Sequence, residues 1–269
     1  MVKPIQRMTG AKAYKANPKD LEKLSMENLT KEEVERYTVT STLQRFAEEM
    51  KEELKVIPNY PTEGVTFYDV TPLLLNPYFL SGIATHAGLL IRDIDFVVSP
   101  EARGFLFGPT IAAVLGAGFV PMRKKGKVPP YTSTSLVTFE SKSEYGTSEF
   151  QVNNHTISAM KKIYIKQKEA LYKAEQKGQV EEMAADGTPA VQEDTALPLK
   201  ERKIDVKNMR VIVVDDVLAT GNTAASIIAF FESMEIKVTQ FISILEIESL
   251  EGRKLIESMG VEVNSLLKV

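Results

Sequence analysis

Apolar residues follow two spacings along this chain, and their alternation predicts its architecture. Compact strand-like runs occupy positions 96–99, 118–122, 211–214 and 238–245, and the mostly β-branched run at 211–214 has the pattern of a strand covered on both faces. Between them, apolar positions recur every three to four residues: Leu43, Phe46, Met50 and Leu54 over residues 41–56, then residues 111–115, then Ala224, Ile227, Ile228 and Phe231. These spacings predict amphipathic helices. Strands alternating with helices indicate an α/β fold, a parallel sheet with crossover helices. Residues 105–122 are uncharged and long enough to suggest a membrane span. Gly108, Pro109, Gly116, Gly118 and Pro121 divide that stretch into a glycine turn, a buried helix and a short strand.

Two regions depart from the alternation. Residues 1–40 form a polar extension with helical stretches and no motif. Its first acid is Asp20, preceded by Lys3, Arg7, Lys12, Lys15 and Lys19, which reads as a solvated tail rather than an organelle address. Residues 158–205 form a charged insertion. Positions 161–177 predict a highly charged helix, and positions 178–203 are acidic, Pro-containing and poor in large apolar residues, a disorder-like composition. The insertion carries no recognisable chemistry; a partner-binding or dimer-edge role and an inert excursion both stay open. The expected layout is an extension (1–40) and one domain (41–269), interrupted at 158–205. With no signal peptide visible, the expected location is cytoplasmic.

Composition narrows the classes. At 43% hydrophobic and 26% charged, the chain has the make-up of an ordinary globular protein. A net charge of −3 provides no bulk attraction to nucleic acid or anionic membrane, so any anion site must be local. The lack of cysteine excludes disulfides and thiolate chemistry. His86 and His155 are too few for a His-built metal site and are read as structural.

The densest chemistry lies in Val211-Ile212-Val213-Val214-Asp215-Asp216-Val217-Leu218-Ala219-Thr220-Gly221-Asn222-Thr223. A buried strand ends in two acids, and a Thr/Gly/Thr loop then leads into a helix. Ligands of open α/β sheets bind at the carboxyl ends of strands, beside helix N-termini. Free N–H groups at such a terminus suit a phosphate, Gly221 lets the main chain approach it, and Thr220 and Thr223 add hydroxyl donors. Asp215 and Asp216 cannot be phosphate ligands, so they suit sugar hydroxyls or a hydrated divalent cation. Together these features read as a ribose 5-phosphate site. The rival motifs fail. A P-loop needs G-x-x-x-x-G-K-[ST], but Gly118 and Gly126-Lys127 are too far apart. A dinucleotide fingerprint lacks its third glycine after Gly116-Ala117-Gly118. The bland alternative is a buried strand, a solvated acidic turn and a capped helix.

The run resembles the phosphoribosyl-pyrophosphate (PRPP) signature of type I phosphoribosyltransferases, and further segments are similar to the adenine phosphoribosyltransferase family. These are Val56-Ile57-Pro58-Asn59-Tyr60-Pro61 through Gly64-Val65-Thr66-Phe67-Tyr68-Asp69-Val70-Thr71-Pro72-Leu73-Leu74, then Pro100-Glu101-Ala102-Arg103-Gly104-Phe105-Leu106-Phe107-Gly108-Pro109, then Arg123-Lys124-Lys125-Gly126-Lys127-Val128-Pro129 and Glu144-Tyr145-Gly146. The five motifs follow in family order and cover about residues 43–157 and 206–269.

The resemblance implies a type I phosphoribosyltransferase fold, a twisted parallel sheet flanked by helices with a small hood around residues 57–75. It implies the reaction adenine + PRPP to AMP + pyrophosphate with Mg2+ (magnesium), and a homodimer. By the same resemblance, Ala219, Thr220, Gly221, Asn222 and Thr223 hold the 5-phosphate. Asp215 and Asp216 hold the ribose hydroxyls and, through water, the metal. Ala102, Arg103, Arg123, Lys124, Lys127 and Tyr145 serve the pyrophosphate, Thr66 and Tyr68 the adenine, and Glu144 is the proton-transfer residue. In the family the peptide before the arginine matching Arg103 is often strained or cis. The basic stem at Arg123, Lys124 and Lys127 carries a mobile lid and reaches a neighbouring subunit's site. Three departures stand out. Tyr68 replaces an arginine against the base, Asn222 replaces a glycine and is expected to accept positive φ, and the lid, residues 131–143, is longer. Enzymes for another purine and a catalytically silent PRPP-binding regulator or paralogue are the alternatives.

Overall fold

The computed structural model describes residues 31–91, 93–130, 135–143, 146–185 and 204–269. Residues 45–269 group as one compact unit, and residues 31–44, the first part of helix α1, fall outside it. Helix α1 (Lys31–Glu53) precedes a hairpin of β1 (Lys55–Pro58) and β2 (Thr66–Asp69), then α2 (Thr71–Leu75) and α3 (Pro77–Leu90). The helix expected at 41–56 stops early because Val56, Ile57 and Pro58 pair with β2 as an antiparallel strand, and a helix cannot run into that proline. This hairpin supplies the hood.

The rest builds one seven-stranded sheet. Along the chain come β3 (Phe96–Pro100), α4 (Gly108–Leu115), β4 (Gly118–Lys124), β5 (Leu136–Ser143), β6 (Gly146–Asn153) and α5 (Asn154–Ala185). They are followed by β7 (Val211–Leu218), α6 (Asn222–Ser233), β8 (Val238–Glu246), α7 (Gly252–Ser258) and β9 (Glu262–Lys268). In space the order is β5-β6-β4-β3-β7-β8-β9. The pairs from β4 to β9 are parallel, and β6 joins β4, and β5 joins β6, antiparallel. The sheet is therefore mixed at one edge. The segment read as part of a lid is, over residues 136–143, a strand in continuous register with β6; Thr138 and Glu140 alternate with Val137 and Phe139, which pack against the core.

Period-2 alternation divides the core between the two faces of the sheet. Val98, Val211 and Val213 pack with Ile227, Ile228 and Phe231 of α6 and with Ile157, Met160 and Tyr164 of α5. Val97, Ile212, Val214 and Ile242 pack on the opposite face with Met50, Ile83, Ala87 and Ile111. Each of the four expected strands is found, as is the helix at 111–115 within α4.

Helix α5 spans more than the expected 161–177. It begins in the catalytic fold, because Met160 and Tyr164 are buried within the first cluster although they lie past position 158. Lys161 Nζ donates to the Met234 carbonyl, and Lys168 Nζ pairs with Asp95 at 3.0 Å. Residues 178–185 continue the helix, and residues 186–203 lie outside the described residues. Met160→Ala is expected to cost about 2–5 kcal/mol of stability, the range for emptying a packed site. Ile163→Ala on the same helix, at a half-exposed side chain, should stay within about 0.5 kcal/mol. Denaturant unfolding curves of the two variants give the comparison.

Candidate active site

The chain leaves β3 to form β4 on one side and returns to form β7 on the other. This reversal makes a topological switch point, where the segments following two adjacent strands diverge and open a crevice. The register Phe96↔Val211 to Val98↔Val213 sets both carboxyl ends at one edge. From β3 comes the segment Glu101, Ala102, Arg103; from β7 come Asp215, Asp216 and the loop into α6. A Cβ on Gly104 would lie 3.1 Å from Asp215 Oδ1, so the two segments touch. A cleft of about 430 Å³ runs from here beneath the hood.

The cleft gathers Thr66 and Tyr68 from β2, Arg103, Asp215, Asp216 and all of Ala219, Thr220, Gly221, Asn222 and Thr223. Gly221 has φ of 79°, and α6 starts at Asn222, so its first N–H groups have no partner within the helix. The left-handed residue is thus Gly221, and Asn222 is helical; its Nδ2 donates to Thr220 Oγ1 at 3.1 Å and braces the loop.

Arg103 lies within ion-pair distance of Asp216, Nε to Oδ2 at 3.0 Å. The contact lacks hydrogen-bond direction, and Asp216 Oδ2 is buried with no hydrogen-bond donor among the described residues. Burial pushes the Asp215 carboxyl well above the ordinary aspartate range, and the Asp216 charge beside it adds to the effect. Burial also raises Asp216, with the Arg103 guanidinium pulling the other way. Two carboxyls held this way favour hydroxyl donors or a cation beside them. Among the described residues no cluster of three ligating side chains exists, so the donor set suits a hydrated metal carried by a ligand rather than a protein-built cage.

Other expected residues lie elsewhere. The Glu101–Ala102 peptide is cis, one bond earlier than expected. Arg123 and Lys124 end β4, Lys127 follows beyond the strand, and none of the three lines the cleft. Arg123 Nε and the Lys124 N–H both donate to Glu101 Oε2, at 3.0 and 2.9 Å, and the Arg123 bond holds Glu101 below the usual carboxylate range against its burial. Glu144 and Tyr145 fall outside the described residues; the register closes on either side of them at Ser143↔Gly146.

Several lining residues carried no chemical signal in the sequence. Phe67 faces the Arg103 guanidinium at 5.5 Å, while Tyr68 also packs on the Ile212 side of the core. Strand alternation along β2 was the available clue. Ile247, Ser249 and Leu250 enter from the segment after β8, beyond any motif.

The family described as the phosphoribosyl transferase domain matches residues 69–266. An adenine phosphoribosyltransferase of Clostridium botulinum is 31% identical over 81% of this chain and 97% of its own length. The chain belongs to the adenine phosphoribosyltransferase family. A Thermotoga petrophila member is 32% identical over 80% of this chain and 96% of its own. Two solved structures share the fold. The adenine phosphoribosyltransferase of Thermoanaerobacter pseudethanolicus has a TM-score of 0.58 at 29% identity, covering 83% of this chain and 99% of that one. The Saccharomyces cerevisiae enzyme, solved with adenine and an imino-altritol bisphosphate, has a TM-score of 0.56 at 28% identity with the same coverage. The chain is accordingly a pentosyl-transferring enzyme of α/β fold.

Proposed function

We propose that this protein makes AMP and pyrophosphate from adenine and PRPP in purine salvage, with Mg2+. The observation that carries the reading is the meeting in one cleft of the α6 phosphate loop, the Asp215–Asp216 pair and the hood strand. Residues 219–223 offer N–H and hydroxyl donors to the 5-phosphate. Asp216 Oδ2 awaits a donor, which a ribose hydroxyl or metal-bound water supplies, and Asp215 completes the pair. Asp215 and Asp216 would hold Mg2+ through water, and the ion would supply positive charge to the pyrophosphate. Arg103 then exchanges Asp216 for the pyrophosphate, aided by the Ala102 backbone, while Thr66, Tyr68 and Phe67 border the adenine. Breaking the bond at C1 builds positive charge on the ribose. Fixed donors and acids at the cleft stabilise that separation with little reorganisation.

Glu144 is assigned the proton on the purine imidazole and Tyr145 a pyrophosphate contact, both by resemblance. Arg123, Lys124 and Lys127 stand outside their own cleft, which supports a homodimer in which this stem serves the neighbouring site. Residues 186–203 are given no part in the chemistry, and they and the extension are treated as additions to a cytoplasmic catalytic domain. Among the described residues no helix is long and apolar enough to cross a membrane.

The test is conversion of labelled adenine, hypoxanthine, guanine and xanthine with PRPP, with and without Mg2+. AMP formation from adenine, abolished by chelation, is expected. A rate on another purine exceeding that on adenine would overturn the substrate assignment. Binding of PRPP with no turnover of any base would favour the silent regulator.

A further inference from the structure

The phosphate loop rests on backbone contributed by another part of the chain. A Cβ built on Gly252, the first residue of α7, would lie 2.1 Å from the Ala219 carbonyl oxygen, 2.7 Å from the Gly221 nitrogen and 2.9 Å from Leu218 Cδ1. Reciprocally, a Cβ on Gly221 would lie 2.7 Å from the Gly252 carbonyl oxygen and 3.2 Å from its Cα. Two backbones are in contact with no side chain between them, and Gly252 touches the loop without lining the cleft.

Gly252 is held at that place from three strands. Arg253 donates twice to Glu246 at the end of β8, Nε to Oε1 at 2.8 Å and Nη2 to Oε2 at 2.5 Å, and its Nη1 donates to the Val263 carbonyl of β9 at 2.7 Å. Glu246 is buried, and such a bidentate pair fixes direction as well as distance. The Ile247 N–H donates to the Leu218 carbonyl at 2.9 Å, tying the end of β8 to the last residue of β7. The ends of β7, β8 and β9 thus form a bracket, and Gly252 is where the bracket meets the loop.

We propose that Gly252 is a positioning residue for the 5-phosphate, aiming the N–H groups of the loop by backbone contact and itself aimed by the Arg253–Glu246 pair. The proposal rests on the reading of residues 219–223 as the phosphate loop. Gly221 cannot isolate this effect, because its φ of 79° makes any side chain strained whatever the space. Gly252 is free of that confusion: its φ lies outside the left-handed range, so alanine there adds only the methyl. At 2.1 Å from the Ala219 oxygen, the methyl cannot be seated unless the loop shifts by roughly 1 Å. An interaction with the 5-phosphate persists from bound substrate to transition state. Its loss therefore raises KM and leaves kcat alone.

The experiment compares wild type, Gly252→Ala and Arg253→Lys in thermal melts, steady-state kinetics and calorimetric titration with ribose 5-phosphate. Gly252→Ala is expected to raise the KM for PRPP and the Kd for ribose 5-phosphate about tenfold or more. Its kcat and its KM for adenine should stay within about threefold of wild type. Arg253→Lys, which keeps the charge and loses the fork, should shift PRPP in the same direction by about threefold. A folded Gly252→Ala variant with PRPP and ribose 5-phosphate constants within threefold of wild type would overturn the proposal. Where that variant does not fold, Arg253→Lys decides, and unchanged PRPP kinetics overturn it. Wild-type protein that fails to bind ribose 5-phosphate would remove the phosphate-loop reading itself, a result distinct from either.

Discussion

Replacing Glu144 with glutamine is expected to lower kcat by about 10²–10⁴-fold, the range for losing a positioned proton-transfer group, and to leave PRPP affinity within a few-fold. The amide keeps the shape of the side chain and cannot exchange a proton at neutral pH. Glu140 and Glu149 provide controls with known surroundings. They face each other across the β5–β6 register, and Glu149 is already paired with Lys125 at 2.8 Å. Their glutamine variants should turn over adenine at close to the wild-type rate. A crippled Glu140→Gln beside a near-normal Glu144→Gln, measured by single-turnover AMP formation, would show that the proton-transfer residue had been misassigned.

Asp215→Asn is expected to move activity and stability in opposite directions. Turnover with PRPP should fall at least about tenfold, because a charge-assisted hydrogen bond worth ~1.5–3 kcal/mol is lost. The ligand-free protein should become more stable, read as a higher Tm. The sign follows from the raised carboxyl. Its folded form binds a proton more tightly than its unfolded form, so its contribution is complete below the ordinary aspartate range. That contribution disappears as pH rises through the elevated folded value. The advantage of asparagine should therefore grow from acid toward neutral pH and level off once the wild-type carboxyl is ionised. Melting curves across that window that run parallel for the two proteins would contradict the account. On the proposed reading, the site gives up stability in the free enzyme to hold two acids ready for a diol.

The elements legible from sequence were those whose pattern is set locally. Val211 to Val214 alternate between the two core faces, and four consecutive apolar residues announce that burial without knowledge of neighbours. Strand β9 could not be recognised in this way. It carries Asn264 and Ser265 in mid-strand, and its place comes from pairing with β8, where Ser243 and Ser265 share a 2.8 Å hydrogen bond. The buried side of α5 was hidden for another reason. Ile157, Met160 and Tyr164 have helical spacing, but the many lysines around them dominate any average over the segment. At the site, the loop after β7 was readable because its chemistry is contiguous. The anchoring of Arg123 by Glu101 was not, since the partners are 22 residues apart and meet only when β3 and β4 pair. Gly252 was invisible for the same physical reason: a glycine's meaning lies in what a methyl would strike.

The seam between β3 and β7 also dictates when the site comes into being. Its register partners Phe96 and Val211 are 115 residues apart, the most distant pairing in the sheet, and α5 and the segment after it lie within that span. Closing so long a loop is slow in time but forgiving in energy, since doubling its length adds only about 0.6 kcal/mol of closure entropy. Lengthening the chain there burdens the finished protein little. Yet the crevice cannot exist before the seam closes. Each half, β3 with β4 and β7 with β8 and β9, can assemble from nearer neighbours, so substrate-binding capacity should be among the last properties a newly made chain acquires.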